Sequence, residues 1–273
     1  MSTSAPPTDR VRLGSIHADV IRFDDAIDRI IARAHAGFGG FVVTPNVDHV
    51  CVAEHDESFR AAYATCFLSL VDGTPLVWAS RLLGTRLPER ISGSDLVLPV
   101  AQRAAEEGLA MYFLGASEET AKRAVRRLLD ECPGLIVAGM DHPYFDPAMP
   151  PEELAAILER IRAARPAIVV VAMGCPRQEY FLEQHSVSLA PAVLIGAGAA
   201  LDFLAGDVRR APTWAARLGI EWVWRLCMEP ARLWRRYLVR DREIVPILFR
   251  QWRMVRRDGV RRESTTDRGE SGV

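Results

Sequence analysis

Asp72 stands where an apolar run, Phe67-Leu-Ser-Leu-Val71, gives way to Gly73. A carboxylate at the end of a strand is placed to act as a general base, and a following glycine lets backbone approach a ligand closely. A turn or cap aspartate leaves the same signature, so both readings are open at this point. Thr44-Pro45-Asn46-Val47-Asp48 follows a second apolar run. Thr44 and Asn46 offer short hydrogen-bonding groups there, either to a ligand or to the first turn of a helix. In Glu89-Arg90-Ile91-Ser92-Gly93-Ser94-Asp95, Arg90 can grip a phosphate with its two-pronged guanidinium or sit in a surface salt bridge. Ser94 or Asp95 is placed to cap the helix that follows.

Further along, Gly174-Cys175-Pro176-Arg177-Gln178-Glu179 puts a proline at a first helical position and an amide, Gln178, where it can meet a base edge or a ribose. Gly196-Ala197-Gly198 lacks the third glycine of the dinucleotide fingerprint, which speaks against a nicotinamide cofactor. Arg225, Arg232 and Arg235 straddle Pro230, so they share no single uninterrupted helix, yet they can converge at a helix junction. A pyrophosphate is the natural anion for such a cluster; a solvated, membrane-facing surface is the competing use.

These residues need a scaffold, and the hydrophobic pattern supplies one. Strands are expected at Phe41–Thr44, Phe67–Val71, Ala110–Leu114, Leu135–Ala138, Ala167–Ala172 and Val193–Ile195. Between them lie helical periodicities at Asp24–Ala36, Thr74–Leu83, Asp95–Glu107, Glu118–Glu131, Glu152–Ala164 and Arg177–Gln184. Alternation of this kind predicts an α/β fold: a Rossmann-like, mostly parallel sheet with helices on both faces. Ligands of such sheets sit beyond the C-terminal strand ends, where every motif above falls.

From about residue 213 the pattern changes. Five of the six tryptophans (214, 222, 224, 234 and 252) lie in this last part. Between Arg225 and Arg262, twelve arginines stand against Glu229, Asp241, Glu243 and Asp258, although the whole chain carries a net charge of only −1. The expected organisation is a flexible N-terminus over 1–10, an α/β catalytic domain over 11–212, an amphipathic helical appendage over 213–258 and a disordered tail over 259–273. A nearly neutral chain argues against nucleic acid as an obligatory partner, while the basic end favours an anionic surface. The five scattered cysteines show no CxxC spacing and fit a reducing compartment. Met1 to Arg10 contains no apolar core of a signal peptide, and no apolar run is long enough to span a bilayer.

Taken in order, Thr44-Pro-Asn46, Asp72-Gly73, Glu89-Arg90, Gly93-Ser-Asp95, Phe113-Leu-Gly115, Gly174 to Glu179, Gly198 to Gly206, Arg210 to Trp214, Glu221-Trp222, Glu229-Pro230 and Arg235-Arg-Tyr237 resemble the WecG/TagA/CpsF glycosyltransferase family. The resemblance covers about residues 11–240. It implies an inverting enzyme of cell-surface polysaccharide assembly, acting at the cytosolic face of the cell membrane. Such an enzyme moves a sugar from a UDP-sugar to a glycan carried on a polyprenyl diphosphate. By the same resemblance Asp72 is the general base, Thr44 and Asn46 line the catalytic pocket, and Arg90 faces a phosphate. Gln178 and Gly198 lie near the nucleotide, and Arg225, Arg232 and Arg235 close over the donor diphosphate. The C-terminal segment is then a membrane-associating appendage that completes the active site. No Asp-x-Asp triplet is present, and arginine charge can serve the leaving group, so neither metal nor organic cofactor is expected. Homo-oligomerisation is compatible with this reading. Competing readings are a nucleotide-dependent oxidoreductase on a similar sheet and a non-catalytic, membrane-docked assembly protein.

Overall fold

A computed structural model describes residues 9–143, 145, 149–208, 210–212, 214–215 and 220–266; of these, the side chains of 232, 237, 238 and 258–266 are outside the description. A six-stranded sheet forms the centre, in the order β4-β3-β8-β7-β5-β6, and every pairing in it is parallel. Its strands are β3 (Gly40–Val43), β4 (Leu68–Ser69), β5 (Ala110–Gly115), β6 (Ile136–Asp141), β7 (Ile168–Ala172) and β8 (Val193–Gly196). The expected α/β architecture is therefore present, with all six expected strands.

Strand side chains alternate between two cores, as the pleat requires. Phe41, Val43, Tyr112, Leu114, Val169, Val171 and Leu194 face one layer. That layer includes α2 (Val47–His55), α3 (Glu57–Thr65), α7 (Pro151–Ala164) and α8 (Arg177–His185). Val42, Met111, Phe113, Ile168, Val170, Val193 and Ile195 face the other. There they meet α1 (Phe23–Ala36), α5 (Gly93–Glu106), α6 (Glu118–Glu131) and α9 (Ala200–Ala205). The helix α4 (Thr74–Leu82) follows β4. Apolar burial on both faces explains why the strands read as continuous hydrophobic runs.

An antiparallel hairpin, β1 (Arg10–Leu13) and β2 (Ile16–Asp19), precedes the sheet. The sequence pattern suggests no such element and none at α3, whereas the capping reading of Asn46 marks the start of α2. The buried Asp19 of the hairpin accepts from the Ser69 backbone N–H at 2.6 Å and from Arg10 Nε at 3.0 Å, so the hairpin covers the open edge of the two-residue β4. Edge strands left bare invite mispairing, and a buried cover removes that hazard.

The C-terminal segment comprises α10 (Glu221–Met228), α11 (Pro230–Arg235), a π-turn over Arg236–Arg240, a 3-10 turn over Asp241–Glu243 and α12 (Ile244–Thr266). Pro230 opens α11, and Pro246 sits in the first turn of α12, positions where the missing N–H costs no helical hydrogen bond. Backbone of α12 continues to Thr266, past the boundary of 258 expected for the appendage, while 1–8 and 267–273 lie outside the described residues. Ile247 and Gln251 are the buried face of α12. The Gln251 amide accepts from the Gly14 backbone N–H at 2.8 Å and donates to the Arg12 carbonyl at 2.7 Å, which ties the appendage to the hairpin turn.

A second tie is ionic. Asp48, buried at the start of α2, pairs with Arg236 at 3.1 Å and also with Arg240. Removing one partner of a buried pair leaves an uncompensated charge, which is costlier than never burying the pair. Asp48→Ala is therefore expected to weaken appendage docking by about 2–3 kcal/mol, less than for a wholly buried pair because Arg240 is half-exposed. Limited proteolysis should then cut between residues 205 and 245 faster than in the wild type, with the sheet still folded by circular dichroism.

Candidate active site

The C-terminal ends of β3, β4 and β8 meet on one rim of the sheet. Thr44 leaves β3, Asp72 follows β4 and the Gly196–Gly198 turn leaves β8. Backbone bonds lock these loops together. Asp72 N–H donates to the Pro45 carbonyl at 2.8 Å, and Ile91 N–H donates to the Val71 carbonyl at 2.7 Å. Gly73 then turns with φ 140° to open α4, a conformation that an L side chain rarely adopts. Asp72 thus sits at the joint between a strand end and a helix N-terminus, and not inside a flexible loop.

Around its carboxylate the structure collects four charged groups. Arg90 Nη1 lies 3.6 Å from Asp72 Oδ1 and 2.8 Å from Glu221 Oε2, while Arg90 Nη2 lies 2.8 Å from Asp95 Oδ2. Asp95 is held in turn by Arg210, which also donates to the Ser94 carbonyl at 3.1 Å. The Asp72 side chain keeps 30% of its surface open to solvent, at the mouth of this charged cleft. Burial among these neighbours pushes its carboxyl up to about 6; Arg90 and Arg225 oppose the rise, and Glu221 and Asp95 add to it. A carboxyl that titrates just below neutrality, exposed on one side, is a competent proton acceptor.

Each expected site residue has a definite place. Asn46 caps α2 by accepting from the His49 N–H at 3.4 Å, which is the capping reading, and it also accepts from Arg236 Nη2 at 3.0 Å. The Thr44 hydroxyl is buried and donates to the Gly196 carbonyl at 3.0 Å, tying β3 to β8. Gly93 packs against that same turn; a Cβ there would come within 2.9 Å of Ala197 Cα, so only glycine allows α5 to start so close to β8. Ser92, and neither Ser94 nor Asp95, caps α5, because Asp95 is drawn away to Arg90 and Arg210.

Gln178 departs from its expected role. Its Oε1 accepts from the Gly198 N–H at 2.7 Å, its Nε2 donates to Glu179 at 2.9 Å, and the side chain is buried. Both ends of the amide bond to protein groups in the interior, so Gln178 supports the Gly198 turn from within the protein. Arg90 likewise is no open phosphate fork; both of its terminal nitrogens face carboxylates. Of the C-terminal arginines, Arg225 reaches the site. Its guanidinium lies 5.6 Å from the Phe203 ring centroid, and its Nε is a buried donor with no hydrogen-bond partner among the described residues. Trp224 Nε1 is a second buried donor of that kind. Arg235 is exposed and lies over the Trp234 ring, while its neighbour Arg236 turns inward to Asn46 and Asp48. The Arg232 side chain is outside the described residues.

Asp48, Glu221, Arg236 and Arg240 were not singled out from the sequence. A carboxylate two residues beyond a cap and an arginine run on a helix carry no local mark of the partner they find. Beneath the site, a polar cluster is buried against α8. His49 Nδ1 meets the Tyr63 hydroxyl at 2.6 Å, and Glu179 Oε1 is 3.9 Å from that nitrogen. Burial, then Arg236 and Arg240, holds His49 neutral, down to about 3; burial pushes Glu179 up to about 7. The donor atoms of His49, Cys175 and Glu179 lie within 4.8 Å of one another, the one grouping among the described residues with the composition to hold a cation. The Tyr63 hydroxyl already engages His49 there, and the Arg236 and Arg240 charges nearby oppose a cation.

Comparison with known proteins agrees with this geometry. The model of the Glycosyl transferase WecG/TagA/CpsF family matches residues 11–258, which takes in the sheet, the charged cleft and the appendage. An N-acetylglucosaminyldiphosphoundecaprenol N-acetyl-beta-D-mannosaminyltransferase of Bacillus spizizenii is 30% identical over 210 residues, 77% of this chain and 79% of its own. The enzyme of that name from Bacillus subtilis is 31% identical over 200 residues, 73% of this chain and 75% of its own. An oxidoreductase reading of the sheet gives way to this match. With its parallel sheet, its rim carboxylate and a match along nearly its whole length, the chain belongs to the WecG/TagA/CpsF family of glycosyltransferases.

Proposed function

We propose that the protein transfers a sugar from a UDP-sugar to a glycan carried on a polyprenyl diphosphate, with inversion at the anomeric carbon and without a metal. The observation that carries this reading is Asp72: a half-open carboxylate, raised to about 6, with the unpartnered Nε of Arg225 buried beside the same cleft. Asp72 takes the proton of the acceptor hydroxyl as its oxygen bonds to the anomeric carbon. The bond from that carbon to the β-phosphate oxygen breaks, and UDP leaves with the electron pair. Charge grows on the leaving phosphate, where the Arg225 guanidinium stabilises it more in the transition state than in the ground state. Asn46, held by Arg236, faces the same rim and orients the acceptor.

The names of the two Bacillus relatives favour N-acetylmannosamine as the sugar moved and N-acetylglucosaminyl diphosphoundecaprenol as the acceptor; glucose and uronic acids are the competing donors. An incubation with a panel of UDP-sugars and a short-chain polyprenyl-diphosphate N-acetylglucosamine, read by mass spectrometry, tests the assignment. UDP-N-acetylmannosamine should give one added N-acetylhexosamine. Asp72→Asn should lower that rate by about 10²–10⁴, the usual range for loss of a general base. A rate near wild type would end the mechanism. The wild-type kcat/KM should fall as pH drops through about 6, because protonation of Asp72 removes the base. An activity flat from pH 5 to 7 would contradict it.

The acceptor is lipid-borne, and the appendage supplies a surface for it. Val245 and Phe249 on α12 are 68% and 56% exposed, one helical turn apart on the same side. Arg253 lies over the Phe249 ring and Arg256 over the Trp252 ring. Apolar side chains rimmed by arginine suit the interface of an anionic bilayer, here the inner face of the cell membrane. No described helix is long and apolar enough to cross a membrane. Because α12 also buries Ile247 against the core, point variants test this better than truncation does. Val245→Ser with Phe249→Ser, joined to Arg253→Glu and Arg256→Glu, should abolish sedimentation with phosphatidylglycerol vesicles. Turnover of a water-soluble short-chain acceptor should survive. Unchanged vesicle binding would remove α12 as the docking face.

A further inference from the structure

Arg90 belongs to the catalytic core, whereas one of the three carboxylates around it, Glu221, belongs to the appendage. The same nitrogen, Nη1, serves both Asp72 and Glu221, but not equally: Glu221 holds it at 2.8 Å in a hydrogen bond, and Asp72 stands back at 3.6 Å. Asp95 fixes the other nitrogen at 2.8 Å, so the guanidinium is stretched between two carboxylates that flank the base. Glu221 is the first residue of α10, where a carboxylate also benefits from the helix N-terminus and is held in place by it.

We propose that Glu221 is a positioning residue for sugar transfer: from the docked appendage it draws Arg90 off Asp72 and so leaves the base free to accept a proton. The idea rests on Asp72 being the base. A guanidinium in full contact with a carboxylate stabilises its ionised form and weakens it as a proton acceptor. Glu221 lessens that contact by competing for Nη1, and its own charge acts in the same sense. The charged groups that face Asp72 are Arg90 from the loop before α5, Asp95 from α5, and Glu221 and Arg225 from α10; the two acidic ones raise its proton affinity and the two basic ones lower it. With α10 absent or undocked, Arg90 is left to Asp72 and Asp95 alone, and the base is masked. Basicity of the core is thereby coupled to the presence of the segment that meets the membrane. Glu221 is not itself within the set that touches substrate; it acts through Arg90.

The sign follows directly. Beside burial, the largest influence, two charges raise Asp72; Glu221→Gln removes one of them and frees Nη1 to close on Asp72, so the Asp72 midpoint must fall. Carbon-detected NMR of ¹³C-carboxyl-labelled full-length protein reads this midpoint, with Asp72→Asn identifying the resonance. From about 6 in the wild type, Glu221→Gln should lower the midpoint by about one pH unit. The acid limb of kcat/KM should move down with it, and the kcat plateau should drop about tenfold as the base weakens. Donor KM should stay within about twofold. Glu221→Asp, which keeps the charge, should restore most of the midpoint. Asp95→Asn, which acts on Arg90 from the core side, should lower the midpoint too, and it gives a second reading if loss of Glu221 loosens the appendage. An Asp72 midpoint unchanged or raised in either Glu221→Gln or Asp95→Asn overturns the proposal. If Asp72→Asn itself keeps wild-type transfer, the base assignment fails and takes this inference with it; an inactive Asp72→Asn with an unmoved midpoint in Glu221→Gln defeats only the role of Glu221.

Discussion

A single guanidinium is asked to neutralise three carboxylates at the rim of the sheet, and most of the site follows from that shortage. Arg90 reaches Asp95 and Glu221 at 2.8 Å each and Asp72 only at 3.6 Å. Arg210 relieves Asp95 from the far side, and Arg225 contributes positive charge, its Nε without a hydrogen-bond partner among the described residues. Had Arg90 been matched to Asp72 alone, the pair would be a stable ion pair and a poor base. Burial raises the proton affinity of Asp72 most, and the neighbouring Glu221 and Asp95 carboxylates add to it against Arg90 and Arg225.

The same logic extends to the appendage. It meets the core through a carboxylate given to a core arginine, Glu221 to Arg90, and through arginines given to a core carboxylate, Arg236 and Arg240 to Asp48. Neutral polar contacts add to these at Gln251, whose amide satisfies both an N–H and a carbonyl of the hairpin turn. Such contacts fix orientation more than they hold strength, since buried ion pairs recover little beyond their desolvation. What they specify is register: α10 arrives with Glu221 over Arg90, and Arg236 arrives over Asn46. The apolar side chains left outside, Val245 and Phe249 among them, then project from the opposite side of α12 from Ile247 and Gln251.

Much of the sheet and part of the site are legible in the sequence, for reasons that are local. Val-rich strands buried on both faces read as short apolar runs, and amphipathic helices between them read by their period. Pro45, Gly73 and Gly93 mark strand ends and close approaches, so Thr44, Asp72 and Arg90 announce themselves as rim residues. The hairpin before α1 and the helix α3 escape this reading. Arg10–Leu13 and Ile16–Asp19 are four-residue strands whose alternation is too brief to register, and the mixed polarity of Val47–His55 leaves α2 marked only by its cap, Asn46.

The sequence by itself determined the parallel sheet, the carboxylate at its rim, the arginine nearby and a basic, tryptophan-rich C-terminal end, because each depends on residue type and short spacing. Tertiary structure alone decided how those charges are shared. Gln178 turned inward because its amide completes the Gly198 turn, and Arg236, not Arg235, faces the core because a helix puts neighbouring residues on different sides. Glu221 and Arg90 are 131 positions apart, and only folding brings them to hydrogen-bonding distance. A proton affinity depends on every charge within a few ångströms, whatever its distance along the chain. For that reason a carboxylate at the rim can be read from one dimension, and the charges that set its proton affinity only from three.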